Sequence, residues 1–195
     1  MQIGVLILAA GFSKRMGENK ALLKFDGIYS FLDQLISQYH QAGIHQIKII
    51  SQYQSLPLHE HLNIDTNLSI DFIKNEEPQL GRSYSIHSGL QEFKDFDYVF
   101  IQNIDNPFTE AKLIQLMMTR SQENLATIPQ VGKKASHPIL LAGKLVKQIL
   151  EKPASSFDFK SFFANCPKKF IQWEDQNIRA NINTPENYLY WMGKK

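Results

Sequence analysis

The chain has 195 residues, enough for one globular domain with a sizeable core and too few for a multi-domain machine. With 43% hydrophobic and 21% charged residues, 10 Gly and 8 Pro, it is neither a disordered nor a collagen-like polymer. A net charge of +2 excludes duplex nucleic acid as a partner bound through bulk charge, and Cys166 as the single cysteine excludes an internal disulfide or a thiolate zinc cluster, so a reducing, cytoplasmic setting is expected.

Residues 2–9 are almost wholly apolar and rich in Val, Ile and Leu, which predicts a strand covered on both faces. No positive charge precedes them, so they read as a strand rather than a leader, and no apolar run approaches the roughly 18 residues of a membrane span. A glycine-punctuated loop follows. Phe31, Leu32, Leu35, Ile36, Tyr39 and Ala42 then recur at helical spacing from Ser30, and Gly43 supplies the stop. Strands are predicted over 47–51 and 69–74, a helix over 82–93 and a buried strand over 98–102. Pro107 and Thr109 introduce a helix through Leu113, Leu116 and Met117, and 126–129 and 138–142 look extended. A helix over 143–152, a loop over 153–156, a short helix over 157–164 and a strand over 170–173 come next. Thr184 as N-cap and Pro185 at the first position open a last helix, with Tyr188, Leu189 and Met192 as its apolar stripe. Strands alternating with helices predict a single α/β domain over 1–195, a three-layer, doubly wound and mainly parallel sheet whose ligands bind beyond the carboxyl ends of its strands.

The loops that follow strands hold unusual residues. In 8–20, LAAGFSKRMGENK, small residues let backbone N–H groups approach a ligand, and Arg15 and Lys20 add cations, the composition of a polyphosphate cradle. Five residues separate Gly11 from Gly17 and no Lys-Ser or Lys-Thr pair follows, so this is no P-loop; the dinucleotide fingerprint is missing too, which counts against a nicotinamide oxidoreductase. A surface turn with two solvated cations is the bland reading. Gly81, Ser83 and Ser85 in GRSYSIHSGL could offer hydroxyls and N–H groups to a polar ring or an anion, or could simply cap a helix. Asp105 in QNIDNPF leaves an apolar strand just before a proline, where a carboxylate suits Mg2+, although a turn-forming Asp is also consistent. In NINTPENY the amides of Asn181 and Asn183 share one face if extended and could complete a metal shell, or cap the helix that follows. His137 in SHPILLA could serve as acid, base or donor, or be structural. His59 and His61 lie in a loop-like stretch, 57–63, share one face only if extended, and are joined by no carboxylate or cysteine cluster, so a metal site there is improbable.

Residues 8–27, LAAGFSKRMGENKALLKFDG, resemble the signature loop of the MobA-like nucleotidyltransferases, which attach a nucleoside monophosphate to molybdopterin or related phosphorylated acceptors. The resemblance extends through 81–90, 102–108, 136–142 and 181–188 in family order. It implies the nucleotide-diphospho-sugar transferase type of fold, with Leu8, Ala9, Ala10, Gly11 and Ser13 at the nucleotide and Arg15 and Lys20 on its triphosphate. It further implies Gly81, Ser83 and Ser85 at base and ribose, Asp105 with Asn181 and Asn183 on Mg2+, and His137 at the acceptor. LAAG, GRSYSIHSGL and HPILL are more similar to the cytidylyl branch and so imply CTP, whereas Asn183 leans toward the guanylyl one. Residues 151–169 depart from the cytidylyl pattern.

The expected reaction is attack by an acceptor phosphate on the α-phosphorus of a nucleoside triphosphate, releasing pyrophosphate. A triphosphate carries about four negative charges, so Arg15, Lys20 and Mg2+ on Asp105 would answer the repulsion and no protein nucleophile is needed. A GTP-using enzyme, a nucleotidyltransferase that activates a sugar phosphate or another alcohol phosphate, and a nucleotide-binding regulatory module without turnover are the alternatives.

Overall fold

Val5, Leu6 and Ile7 are completely buried, and they alternate between two cores on opposite faces of one strand, β1 (Ile3–Ala9). A strand apolar on both faces needs a helix layer on each, and that requirement sets the architecture. The computed structural model describes residues 1–52, 58–64, 68 and 70–193. Around β1 it places β2 (Gln46–Gln52), β3 (Ile70–Asn75) and β4 (Tyr98–Asn103) in parallel, in the order β3-β2-β1-β4. The sheet then continues through β7 (Ile139–Ala142) and β5 (Ala126–Val131), with β6 (Lys134–Ala135) and β8 (Lys168–Gln172) both paired to β5. β7 runs antiparallel to both β4 and β5, so the expected parallel sheet carries an antiparallel insertion; β5 and β8 resume parallel pairing.

Helices α1 (Phe31–Gln41), α3 (Ala111–Arg120) and α6 (Pro185–Met192) cover the face that carries Val5, Ile7, Ile49 and Phe100. Helices α2 (Gly81–Leu90), α4 (Gly143–Leu150) and α5 (Phe159–Asn165) cover the face of Leu6, Leu8, Val99 and Ile101. The start of α1 follows from its sequence: Ser30 accepts from the Asp33 backbone N–H, and Asp33 accepts from the Ser30 N–H at 2.8 Å, a capping box sealed inside the core. Gly43, at φ 90°, ends it.

Several expected details differ. Thr109 does not cap α3, which begins at Ala111 after an uncapped Glu110; its buried hydroxyl donates instead to Gln102 Oε1 at 2.9 Å. The helix expected over 82–93 ends at Leu90 and passes into a short 3-10 turn, and the one expected over 157–164 begins at Phe159 because Asp158 is its N-cap. Leu189 is 71% exposed, so the stripe of α6 is Tyr188, Trp191 and Met192 rather than Tyr188, Leu189 and Met192. Within the stretch 57–63, residues Leu58–His61 form a 3-10 turn; Pro57, the side chain of His59, and Ser69 at the head of the expected strand lie outside the described residues.

A register change in β5 matters for the site. Thr127 faces Leu140 and Gln130 faces Ala135, so two residues on β5 oppose four, 136–139, on the partner. The Ser136 N–H still donates to the Pro129 carbonyl at 2.8 Å, so the two extra residues are His137 and Pro138, and their bulge brings His137 against Asn103 at the end of β4.

Candidate active site

The chain leaves β1 toward β2 and β3 on one side and returns through β4 on the other, so the strand order reverses between β1 and β4. Leu8 and Asn103 are register partners at the carboxyl ends of those two strands, which makes this the topological switch point. A cavity of about 250 Å³ opens there. Its walls include Leu8, Ala9, Ala10, Gly11, Ser13 and Lys20 from the first loop, Gly81 and Ser85 from the start of α2, and Asp105 beyond β4.

The first loop is fixed from both ends. Met16 is buried and anchors a turn in which the Ser13 carbonyl accepts from the Met16 and Gly17 N–H groups at 2.9 and 3.1 Å. Ser13 itself has φ 48°, a left-handed conformation that costs a non-glycine residue of order 1 kcal/mol and is retained where the surroundings impose it. From β2, Gln52 Nε2 donates to the Ala10 carbonyl at 2.8 Å. Asn19 caps a 3-10 turn over Lys20–Leu22; the completely buried Ala21 seats that turn and leaves the Lys20 side chain facing the cavity.

Lys20 Nζ donates to Asn183 Oδ1, Asn183 Nδ2 approaches Asp105 Oδ2 at 3.4 Å, and the same amide nitrogen donates to Asn181 Oδ1. Residues 20, 105, 181 and 183, distant in sequence, thus form one cluster. The last two arrive on an extended segment held across the strand ends, where the Ile182 N–H donates to the Asp105 carbonyl at 2.9 Å and the Asn106 and Ser136 side chains both donate to the Ile178 carbonyl. Burial lowers the Lys20 pKa despite the attraction of Asp105, with Arg15 adding to the depression. Burial likewise raises the Asp105 pKa, against the opposing pull of Lys20, the Asn183 hydrogen bond and Arg82.

Among the described residues no three His, Cys, Asp or Glu side chains gather into a metal cluster. The oxygen donors here are one carboxylate, Asp105, and amide oxygens of Asn181 and Asn183, a set that fits a hard divalent cation taking the rest of its shell from substrate phosphates.

Other expected site residues fall elsewhere. Arg15 is exposed and off the cavity wall, although its charge is felt at Lys20. Ser83 is turned to α5: its hydroxyl accepts from the Phe159 N–H at 3.0 Å and contacts Asp158 at 3.5 Å, so it is part of a helix junction rather than of the cavity. Ser85 lines the cavity with its hydroxyl already committed, donating to the Gly81 carbonyl and accepting from Asn75 Nδ2. His137 and Asn181 line a second cavity of about 300 Å³ that shares Asn103 and Asp105 with the first. Burial, reinforced by Arg82, lowers the His137 pKa to about 4, so the ring is neutral near pH 7. Sequence reasoning missed Arg82 and Asn103: both line the first cavity, and Arg82 donates to Asn103 Oδ1 at 3.2 Å. The signal for Arg82 is a cation directly after a glycine at the amino end of a helix, inside a motif whose hydroxyls and N–H groups draw the attention first.

The sequence model of the MobA-like NTP transferase domain matches residues 5–167. The chain belongs to this family. It is 26% identical over 193 residues to the "Probable molybdenum cofactor guanylyltransferase" of Bacillus cytotoxicus, covering 94% of this chain and 92% of that protein. The fold is shared with Rv0371c from Mycobacterium tuberculosis H37Rv, at a TM-score of 0.80, 15% identity and 99% coverage of both chains; another crystal structure of that protein is a complex with manganese. It is shared too with a nucleotidyl transferase of Methanothermobacter, Mth528, at a TM-score of 0.79 and 14% identity, covering 100% of this chain and 99% of that one. For this MobA-like chain, the mixed, mainly parallel sheet is therefore that of the nucleotidyltransferases. No helix among the described residues is long and apolar enough to cross a membrane.

Proposed function

We propose that residues 1–195 act as one nucleotidyltransferase domain, moving a nucleoside monophosphate from a nucleoside triphosphate to a phosphorylated small-molecule acceptor such as molybdopterin, with release of pyrophosphate. The observation that carries this reading is the Lys20–Asn183–Asp105 cluster, whose Lys20 and Asp105 line the switch-point cavity together with the small-residue loop. Backbone N–H groups of Ala9, Ala10 and Gly11 and the Lys20 ammonium bind the triphosphate, with Arg15 adding long-range attraction. Asp105, Asn181 and Asn183 hold the divalent cation, Mg2+ in this reading, which when bound neutralises phosphate charge. An ionised oxygen of the acceptor phosphate attacks the α-phosphorus, a phosphoanhydride forms, and the bond to the bridging oxygen breaks so that pyrophosphate leaves. No proton needs to be removed from the nucleophile, so positioning and charge compensation suffice. The second cavity, on the other side of Asp105, seats the acceptor against His137 and Asn181, with Lys134 and Arg179 as its cationic rim.

GTP is the nucleotide that the named Bacillus relative favours. CTP is the second reading, favoured by LAAG at 8–11 and by GRSYSIHSGL at 81–90. Each ribonucleoside triphosphate, mixed with Mg2+ and molybdopterin, is assayed for pyrophosphate. Release with GTP or CTP, and none without the acceptor, is the expected result. If no triphosphate stabilises the protein thermally or releases pyrophosphate, the reading falls; tight binding without release under any phosphorylated acceptor would instead indicate a regulatory module.

A further inference from the structure

Asn103 is the last residue of β4 and belongs to the walls of both cavities. Its amide has two partners. Arg82 Nη2 donates to Oδ1 at 3.2 Å, and Nδ2 lies 3.0 Å from His137 Nε2. The direction of each bond follows from chemistry alone. A guanidinium can only donate, so the atom facing Arg82 must be the amide oxygen; the atom facing His137 is then the NH2 group, and Nε2 must accept from it. A neutral imidazole that accepts at Nε2 carries its proton on Nδ1. On its other side, the Arg82 guanidinium lies 5.3 Å from the centroid of the Phe159 ring, so ring and amide together fix the cation between α5 and β4.

We propose that Asn103 is a positioning residue which mounts Arg82 at the nucleotide cavity and locks His137 as its Nδ1–H tautomer in the neighbouring one. One amide thereby registers the two cavities that flank Asp105. The burial of His137 and the Arg82 charge agree with a ring that stays neutral. That Arg82 acts on a triphosphate rests on the nucleotidyltransferase reading; the geometry of the relay does not.

The test uses the full chain and three variants. Long-range 1H–15N spectra of the imidazoles, with the His137 signal assigned by its loss in His137→Gln, are expected to show the Nδ1–H tautomer in the wild type. In Asn103→Asp the carboxylate accepts from Arg82 and from His137 alike, so the proton must move to Nε2 and the tautomer inverts while Arg82 stays held. In Asn103→Leu neither partner is held: rotation of the Arg82 guanidinium, slow in the wild type, becomes fast, and Mg-GTP or Mg-CTP binds roughly tenfold more weakly, the effect of losing one charge-assisted hydrogen bond. An Nε2–H tautomer in the wild type, or an unchanged tautomer in Asn103→Asp, overturns the His137 half. Fast guanidinium rotation in the wild type, or unchanged rotation in Asn103→Leu, overturns the Arg82 half. If the NMR results hold and no nucleoside triphosphate binds the wild type, it is the nucleotidyltransferase reading that fails and the relay stands.

Discussion

Replacing Asp105 by Asn removes one charge and little volume, and the structure fixes the direction of its effect on stability. Burial outweighs the combined help of Lys20, Asn183 and Arg82, so the ionised carboxylate is held in the folded chain at a net cost. Each pKa unit above the ordinary 3.8 corresponds to about 1.4 kcal/mol, and 1 kcal/mol moves the melting temperature of a domain this size by about 2–4 °C. The folded chain keeps the Asp105 proton more firmly than the unfolded one. The contribution of Asp105 to stability is therefore fully present below pH 3.8 and is lost as pH rises through the elevated folded-state value. Asp105→Asn lacks that decline, so at pH 7 it should melt no lower than wild type and up to a few degrees higher, and the difference should close near pH 3.5. Thermal melts by circular dichroism at the two pH values measure this. In the same variant turnover should fall by about 10³-fold or more, because the proposed cation site loses the single carboxylate it has among the described residues. A variant that melts several degrees below wild type at pH 7 would show that the carboxylate stabilises the fold as half of an ion pair, and retained turnover would remove Asp105 from the chemistry.

Lys20→Ala should raise the nucleotide dissociation constant by about 10- to 100-fold in titration calorimetry while leaving acceptor binding alone; an effect confined to the acceptor would contradict the phosphate role. Gln102 Oε1 is buried and accepts from both Tyr39 and Thr109, each at 2.9 Å. Either Tyr39→Phe or Thr109→Val should therefore cost about 1 kcal/mol in urea unfolding, and the pair about 3, since only the double variant orphans the oxygen; strict additivity would argue against a shared acceptor. A Cβ on Gly143 would collide with the backbone carbonyl of Phe96, so Gly143→Ala should lose about 1–3 kcal/mol, and a neutral result would mean that α4 can shift away from β4.

How much of this was legible in the sequence depends on the distance between cause and effect. β1 and β4 were readable because their burial is written in unbroken apolar runs, and the start of the last helix at Thr184 because a cap acts within three residues. The reversal of β7 was not, since a short apolar segment pairs equally well in either direction and only its neighbours decide. Lys20, Asp105, Asn181 and Asn183 could be suspected one by one from their loops, yet their convergence depends on how residues 178–183 cross the sheet. Ser83 misled because its hydroxyl is used by α5, whose first residue is 76 positions away. Arg82 and Asn103 stayed silent for the same reason: they are 21 residues apart, and neither has a local pattern that announces the other.

The dependence of Lys20 and Asp105 on Asn183 has a temporal side. Residues 178–183 are synthesised after every strand of the sheet, so the Lys20–Asn183–Asp105 cluster is completed only by a segment made late in the chain. A cut ahead of residue 178 would strip Ile178, Ala180 and Ile182 from the core together with Asn183, so the cluster and the covering of that face of the sheet would be lost as one.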